Sequence, residues 1–255
     1  MVIGVIACEI LELEFAYLLS MDPDVAGITV LEDDAVSSGF IKALESMGRF
    51  EPRTIPMLRG FSPAFNGSME ILVHVLELAL HNRKRLLQEG LGKAIKEMSQ
   101  YVDGIVQGYG LCGNALQNPE ELFADAGVPI FIPMDEDHPV DDCVGLIIGG
   151  REYYYGEQCK EAGTFFMTPG WTRHWKRFFE KEYGRLDPPM AKRIFGGYKR
   201  SLLVPTPVSS EEIMRRNIEE FNHLFGFRTE VRNGTMEILC RAWESAKKAI
   251  SESLD

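Results

Sequence analysis

The opening stretch MVIGVIACEILELEF, Met1–Phe15, decides the class of fold. Val2–Ala7 is the short, apolar, partly β-branched run that a buried strand requires, and from Glu9 to Ser20 the side chains Ile10, Leu11, Phe15 and Leu18 recur at helical spacing. The same grammar continues downstream. VAGITVL at Val25–Leu31 predicts a second strand with a helix over Val36–Met47 behind it. RTIPML at Arg53–Leu58 predicts a third, which Pro56 confines to an edge or a strand end. A long helical region is expected over Ser68–Tyr101, with Ile71, Leu72, Val75, Leu76, Leu78 and Leu80 on its apolar face and Gly90 and Gly92 breaking it in two. Strands follow at Val102–Gln107 and Val128–Ile132, with a short helix over Pro119–Ala126 between them. Such alternation predicts an α/β fold with a mostly parallel, doubly wound sheet flanked by helices.

Residues 1–150 are therefore read as an α/β domain carrying the cysteine loops. Over residues 151–200 the texture changes to REYYYGEQCKEAGTFFMTPGW, followed by basic amphipathic segments at Thr172–Tyr183 and Pro188–Tyr198. This aromatic, Gly/Pro-rich stretch reads as an insertion, a lid or a second lobe. Residues 201–255 return to strand and helix and are expected to pack back on the α/β unit. They comprise a strand at Ser201–Val204, a helix over Ser209–Phe225 opened by a capping box of Ser209 and Glu212, a short strand at Arg228–Val231, and a terminal helix from Thr235.

Of 255 residues, 45% are hydrophobic and 25% charged, a balance that excludes disordered and collagen-like chains. Lys and Arg number 27 against 38 Asp and Glu, and the formal charge of −11 argues against nucleic acid or anionic lipid as a partner. No apolar run approaches the ~20 residues that span a bilayer. The amino terminus also lacks the basic leader of a signal peptide, so a cytoplasmic location is expected. Five cysteines, an odd number scattered along the chain, do not look like a secreted disulfide framework.

In open parallel sheets ligands bind outside the carboxyl ends of the strands. Cys8 follows the first expected strand, Cys112 lies in the loop after Val102–Gln107, and Cys143 follows Val128–Ile132, so all three belong to one edge of the sheet. Cys240 falls on an apolar helical face with Met236, Leu239 and Trp243 and reads as core. Three convergent thiols suit zinc with an open fourth position or an iron–sulfur cluster; the bland reading is that Cys8 and Cys143 merely fill space near strand ends. His138 and Cys159 are candidate fourth ligands.

Gly108, Gly110 and Gly113 also match the dinucleotide fingerprint G-x-G-x-x-G, with Asp135 after the next strand, but Pro119 marks a new helix start where that fingerprint needs one long helix. The glycines read better as a tight turn that presents Cys112, whose amides form an electropositive nest and lower the thiol's pKa. Glu9, beside Cys8, is a candidate general base or a polar residue at a helix start. Gly163, Thr164 and Pro169–Trp171, beside Tyr153, Tyr154 and Tyr155, are expected to wall a planar cofactor or to form a small second core. Arg173, His174, Lys176 and Arg177 form a basic run suited to an anionic ligand or to simple solvation.

Taken together, ACEILELE at Ala7–Glu14, YGLCGN at Tyr109–Asn114, the DDC…LIIGG run at Asp141–Gly150, AGTFFMTPGW at Ala162–Trp171 and the later LLVPTP, FRTEVRNGT and EILCRAW segments resemble the DUF1638 family. These are uncharacterised proteins of methanogenic archaea and other anaerobes. The resemblance covers nearly the whole chain. It implies an association with corrinoid-dependent methyl transfer and carries the family pattern onto Cys8, Cys112, Gly113, Cys143, Gly163, Thr164, Gly170 and Trp171. Where many relatives are expected to place a histidine before the Asp-Cys pair, this chain has Asp141, with His138 upstream.

Residues and resemblance together lead to an expected metal-binding protein of anaerobic one-carbon or methyl-transfer metabolism. Cys8, Cys112 and Cys143 would hold zinc or an iron–sulfur cluster, and Gly110, Gly113, Tyr154, Gly163, Thr164 and Trp171 would form a cofactor wall. A small molecule, a corrinoid or a corrinoid protein is the expected partner. The alternatives are a metal-free transferase or hydrolase with Cys112 as nucleophile and Glu9 or His138 as base, and a non-catalytic carrier of a corrinoid or metal.

Overall fold

A computed structural model of the chain describes every residue except 34–35, 65–66, 79–82, 114, 117–118, 120–122, 185–186 and 255. Leu80, Asn114 and part of the helix expected over Pro119–Ala126 lie outside the described residues. Six parallel strands form the main sheet: β1 (Val2–Cys8), β2 (Val25–Leu31), β3 (Arg53–Ile55), β4 (Met69–Leu76), β5 (Gly104–Gly108) and β6 (Ile130–Phe131), in the order β3-β2-β4-β1-β5-β6. Both faces are covered, as a parallel sheet demands. Ile3, Val5 and Ala7 of β1 point into a layer shared with α1 (Glu12–Met21), α2 (Ser37–Met47) and the terminal helix α10 (Glu237–Leu254). Val2, Ile6 and Cys8 point into the opposite layer with α3 (Lys84–Met98). The α/β class expected from the sequence is the class observed.

The largest departure lies at MEILVHVL, Met69–Leu76, which is a strand and not the start of a long helix. Ile71, Val73 and Val75 enter one core layer while Leu72 enters the other, a period of two that an unbroken apolar run hides when both faces are buried. This strand lies between β1 and β2, with Val73 in register with Val5 on one side and Val30 on the other.

The chain leaves β1 toward β2 on one side and leaves β5 toward β6 on the other. The carboxyl ends of these adjacent strands thus form a topological switch point, the usual crevice of open α/β sheets. After β6 comes a two-stranded antiparallel pair, β7 (Met134–Asp135) and β8 (His138–Pro139), and then α4 (Cys143–Ile148) and α5 (Arg151–Lys160).

A second parallel sheet follows, β11-β10-β9, from β9 (Thr164–Met167), β10 (Arg200–Leu203) and β11 (Arg228–Val231). The stretch read as an insertion or lid contributes β9, α6 (Pro169–Tyr183) and α7 (Pro188–Phe195) to this sheet and its helices. Phe165, Phe178, Phe179 and Phe195 belong to a dense aromatic core in which Phe165 and Phe179 flank Phe221, with ring centroids 5.1 and 5.6 Å away. The helix expected over Ser209–Phe225 is two helices, α8 (Glu211–Asn217) and α9 (Glu219–Phe225), and its cap is Ser210, whose hydroxyl accepts the Ile213 N–H, not Ser209.

Candidate functional site

Cys8 is the last residue of β1, and Tyr109 follows the last residue of β5, so the parallel register of these strands brings both to one edge. Cys112 reaches that edge through an unusual backbone. It adopts φ = 46°, in the left-handed region that non-glycine residues rarely occupy, and Gly113 follows at 63°. The turn is held by backbone pairing to the segment before α4: Leu111 N–H donates to the Val140 carbonyl (2.9 Å) and Cys112 N–H to the Asp141 carbonyl (2.8 Å). Gly110 is required here because a Cβ would collide with the Val140 carbonyl oxygen and lie 2.9 Å from the Asp142 nitrogen. Asp142 then caps α4, accepting the N–H groups of Val144 (2.8 Å) and Gly145 (2.9 Å), and places Cys143 at the first position of the helix.

Cys8, Cys112 and Cys143 thereby line one cavity of about 500 Å³. Tyr154, Thr164, Trp171 and Gly113 line it too, as the sequence suggested, while Tyr109, Asp142, Phe165, Phe166 and Tyr198 join without having been singled out. Gly110 shapes the turn. Gly163 packs a strand end, since a Cβ there would strike the Gly197 carbonyl. Asp142 carried a readable signal, an Asp directly before the apolar CVGLII run at an N-cap position. Tyr198 follows α7 and carried none.

The electrostatics invert one expectation. Burial pushes the Cys8 thiol up to about 12, against small opposing help from the Ile10 amide and Tyr109. Burial likewise raises Cys112 and Cys143, and the negative charges of Asp142 and the other thiolates raise them further. The glycine turn does not lower the Cys112 pKa, because removal from water outweighs the Gly110 amide. Asp142 is itself raised by burial while its carboxylate accepts bonds from Gly145, Tyr154 and Val144. Trp171 is a hydrogen-bond partner of Cys143. Thiolates form readily in this cavity only beside a cation.

Three thiols are the kind of donor set that a thiophilic metal takes, but their spacing is wider than one zinc needs. Tetrahedral zinc at ~2.3 Å from each sulfur brings sulfurs to roughly 3.8 Å of one another. The three thiols here do not all lie within 4.8 Å of one another. Among the described residues the triad that does is Glu9, Glu12 and His174. A cavity of this size suits a small organic molecule.

Glu9 does not line the cavity. It is buried beside Arg177, with which it forms an ion pair, and accepts the Leu78 N–H at 3.4 Å. Glu12 is paired with His174 (2.8 Å) and Arg173 (3.4 Å), and Lys176 with Glu220 (2.7 Å). The basic run of α6 thus clamps that helix to the segment after β1 and to α9. The Arg151 guanidinium donates to the His138 Nδ1 (2.9 Å) in a separate, larger cleft of about 1370 Å³, and Asp135 accepts the Arg151 backbone N–H (2.6 Å) in place of any ribose hydroxyl. Leu111 and Asp141 line that cleft, whereas their neighbours Cys112 and Asp142 line the thiol cavity, so the paired backbone segments form a partition between the two. Cys159 is exposed on α5, and Cys240 packs partly against the core.

A family model described as "Protein of unknown function (DUF1638)" matches residues 75–243. No curated protein and no solved structure matches. Among the described residues no helix is long and apolar enough to cross a membrane.

Proposed function

The chain belongs to the DUF1638 family, and with no activity attached to that family we propose from the site itself that the protein binds an iron–sulfur cluster through Cys8, Cys112 and Cys143. The observation that carries this is the convergence of three thiols, Cys8 buried and Cys112 and Cys143 half-buried, on one cavity whose surroundings disfavour every thiolate that lacks a cation beside it. Cluster cysteines bind different irons and need not approach one another as closely as the ligands of one zinc, which favours the cluster; zinc is the second reading and requires the three thiols to draw together. Three protein ligands leave one iron open, the position at which a bound cluster would engage a substrate.

The nucleophile alternative has less support. The Cys112 thiol is held protonated, and neither Glu9 nor His138 shares its cavity. A place in anaerobic one-carbon or corrinoid-dependent methyl-transfer metabolism, in methanogens and other anaerobes, rests on the family resemblance. An oxygen-sensitive open cluster suits that setting, and free thiols suit a reducing cytoplasm.

The test is iron, zinc and acid-labile sulfide content with a visible spectrum, on protein purified without oxygen, for wild type and for Cys8→Ser, Cys112→Ser and Cys143→Ser. Stoichiometric iron and sulfide, lost in each variant, is the expected result. Folded wild type that holds neither iron nor zinc and accepts neither on reconstitution refutes the reading.

A further inference from the structure

The thiols make up only part of the cavity wall. Much of the rest is aromatic: Tyr154, Phe165, Phe166, Trp171 and Tyr198 line it. These rings meet at steep angles and do not form one stack. Tyr154 stands edge-on to Phe166 (centroids 4.8 Å, 89°), Phe165 edge-on to Trp171 (6.1 Å, 89°), and Phe165 is tilted against Tyr198 (5.7 Å, 56°). Rings at right angles form corners, the arrangement that lets several faces and edges surround one small ligand. Asp142 adds a carboxylate whose described partners are two backbone N–H groups and the Tyr154 hydroxyl, with no cation among them. Lys84 is the single basic side chain among the described lining residues, and it is exposed.

Aromatic faces attract cations whose charge is spread over methyl groups, because such ions shed water cheaply and match the negative face of the ring. A bare ammonium or a metal aquo ion would lose more on entering so apolar a wall. An anion would meet the negative faces of the rings and the acceptor oxygens of Asp142. We propose that the aromatic wall of the thiol cavity binds a small methylated ammonium ion. The inference goes beyond the metal reading and does not rest on it: the ring faces that attract the cation belong to Tyr154, Phe165, Phe166, Trp171 and Tyr198, none of which is a proposed metal ligand.

The test uses the full chain, as isolated and metal-free, titrated calorimetrically with choline, tetramethylammonium and the uncharged choline isostere 3,3-dimethyl-1-butanol. Choline and tetramethylammonium should bind and the isostere at least about tenfold more weakly, a difference of ~1.4 kcal/mol. Trp171→Leu should weaken choline about tenfold or more, while Trp171→Phe, which keeps a ring, should lose less. Asp142→Asn, which caps α4 as well as Asp does, should weaken choline and leave the isostere unchanged. Isostere binding as tight as choline, or no choline binding up to about 50 mM, overturns the proposal. Metal-free protein that discriminates choline leaves the proposal standing although the cluster reading fails; metal-loaded protein that ignores choline sinks the proposal alone.

Discussion

Alanine at Gly110 inserts one methyl group between the two backbone segments that hold Cys112 beside Cys143. That methyl would lie 2.9 Å from the nitrogen and 3.0 Å from the Cα of Asp142, and closer still to the Val140 carbonyl oxygen. All three atoms are backbone, so no side-chain rotation relieves the contact. Restoring ordinary separations of ~3.5 Å or more requires the segments to part by roughly 0.5–1 Å. Such a shift stretches the Leu111–Val140 and Cys112–Asp141 bonds, now 2.9 and 2.8 Å, beyond useful length. Overpacking costs about 1–3 kcal/mol, and two lost bonds add ~1 kcal/mol each. The sum, about 3–5 kcal/mol, is a large part of the ~5–15 kcal/mol that holds a typical domain folded. Urea unfolding measures the loss, and metal content on the folded fraction measures the site; both should fall. Gly92→Ala is the control, since it lies within α3 with nothing within 4 Å of the added methyl and should gain ~0.5–1 kcal/mol. A Gly110→Ala protein as stable as wild type, with full metal content, would show that the backbone pairing does not hold the site together.

Burial raises Glu14 from 4.5 to about 8, so the folded state binds its proton more tightly than the unfolded state. The stability this contributes is complete below pH 4.5 and is lost as pH rises toward 8, by ~1.4 kcal/mol per pH unit at most. Glu14→Gln should flatten that slope in urea titrations at pH 5, 6.5 and 8; a variant less stable than wild type at pH 8 contradicts the assignment. With Cys8 raised from 9.0 to about 12, its thiolate fraction in metal-free protein at pH 8 is ~1000-fold below that of an ordinary thiol. Site-resolved mass spectrometry after iodoacetamide should therefore find exposed Cys159 labelled and Cys8 spared, and equal rates would refute this. Lys247→Met removes a partner of buried Asp22 (2.7 Å), leaving it the Trp243 N–H and the Asp24 N–H. The expected cost is ~2–4 kcal/mol by urea unfolding, and a change under 0.5 kcal/mol would mean that those two donors suffice.

Strand ends were legible where apolar runs were short and bounded by acidic or glycine residues. Val2–Cys8 and Val25–Leu31 are of this kind, and with them came the edge at which Cys8, Cys112 and Cys143 meet. Met69–Leu76 was illegible because a strand covered on both sides shows unbroken hydrophobicity, and Ile71, Leu72, Val75 and Leu76 also satisfy a helical period. Thr164–Met167 was obscured by its neighbours: the aromatic density that suggested a lid is the packing of a second sheet on α6 and α9. The charge state of the thiols was illegible for a different reason. Sequence shows the amides and glycines of a turn but not the depth at which the turn is buried, and depth dominates here. Glu9 was misleading in the same way, since its partner Arg177 is far along the chain and close only in the fold.

The partition between the thiol cavity and the larger cleft includes two hydrogen-bonded backbone segments. Leu111 and Asp141 line one side, Cys112 and Asp142 the other. Side chains that share a peptide plane in this way cannot be altered independently. Substitutions at Leu111 and Cys112, or at Asp141 and Asp142, will therefore give non-additive effects although their side chains never meet, and the two chambers of this molecule form one mechanical unit.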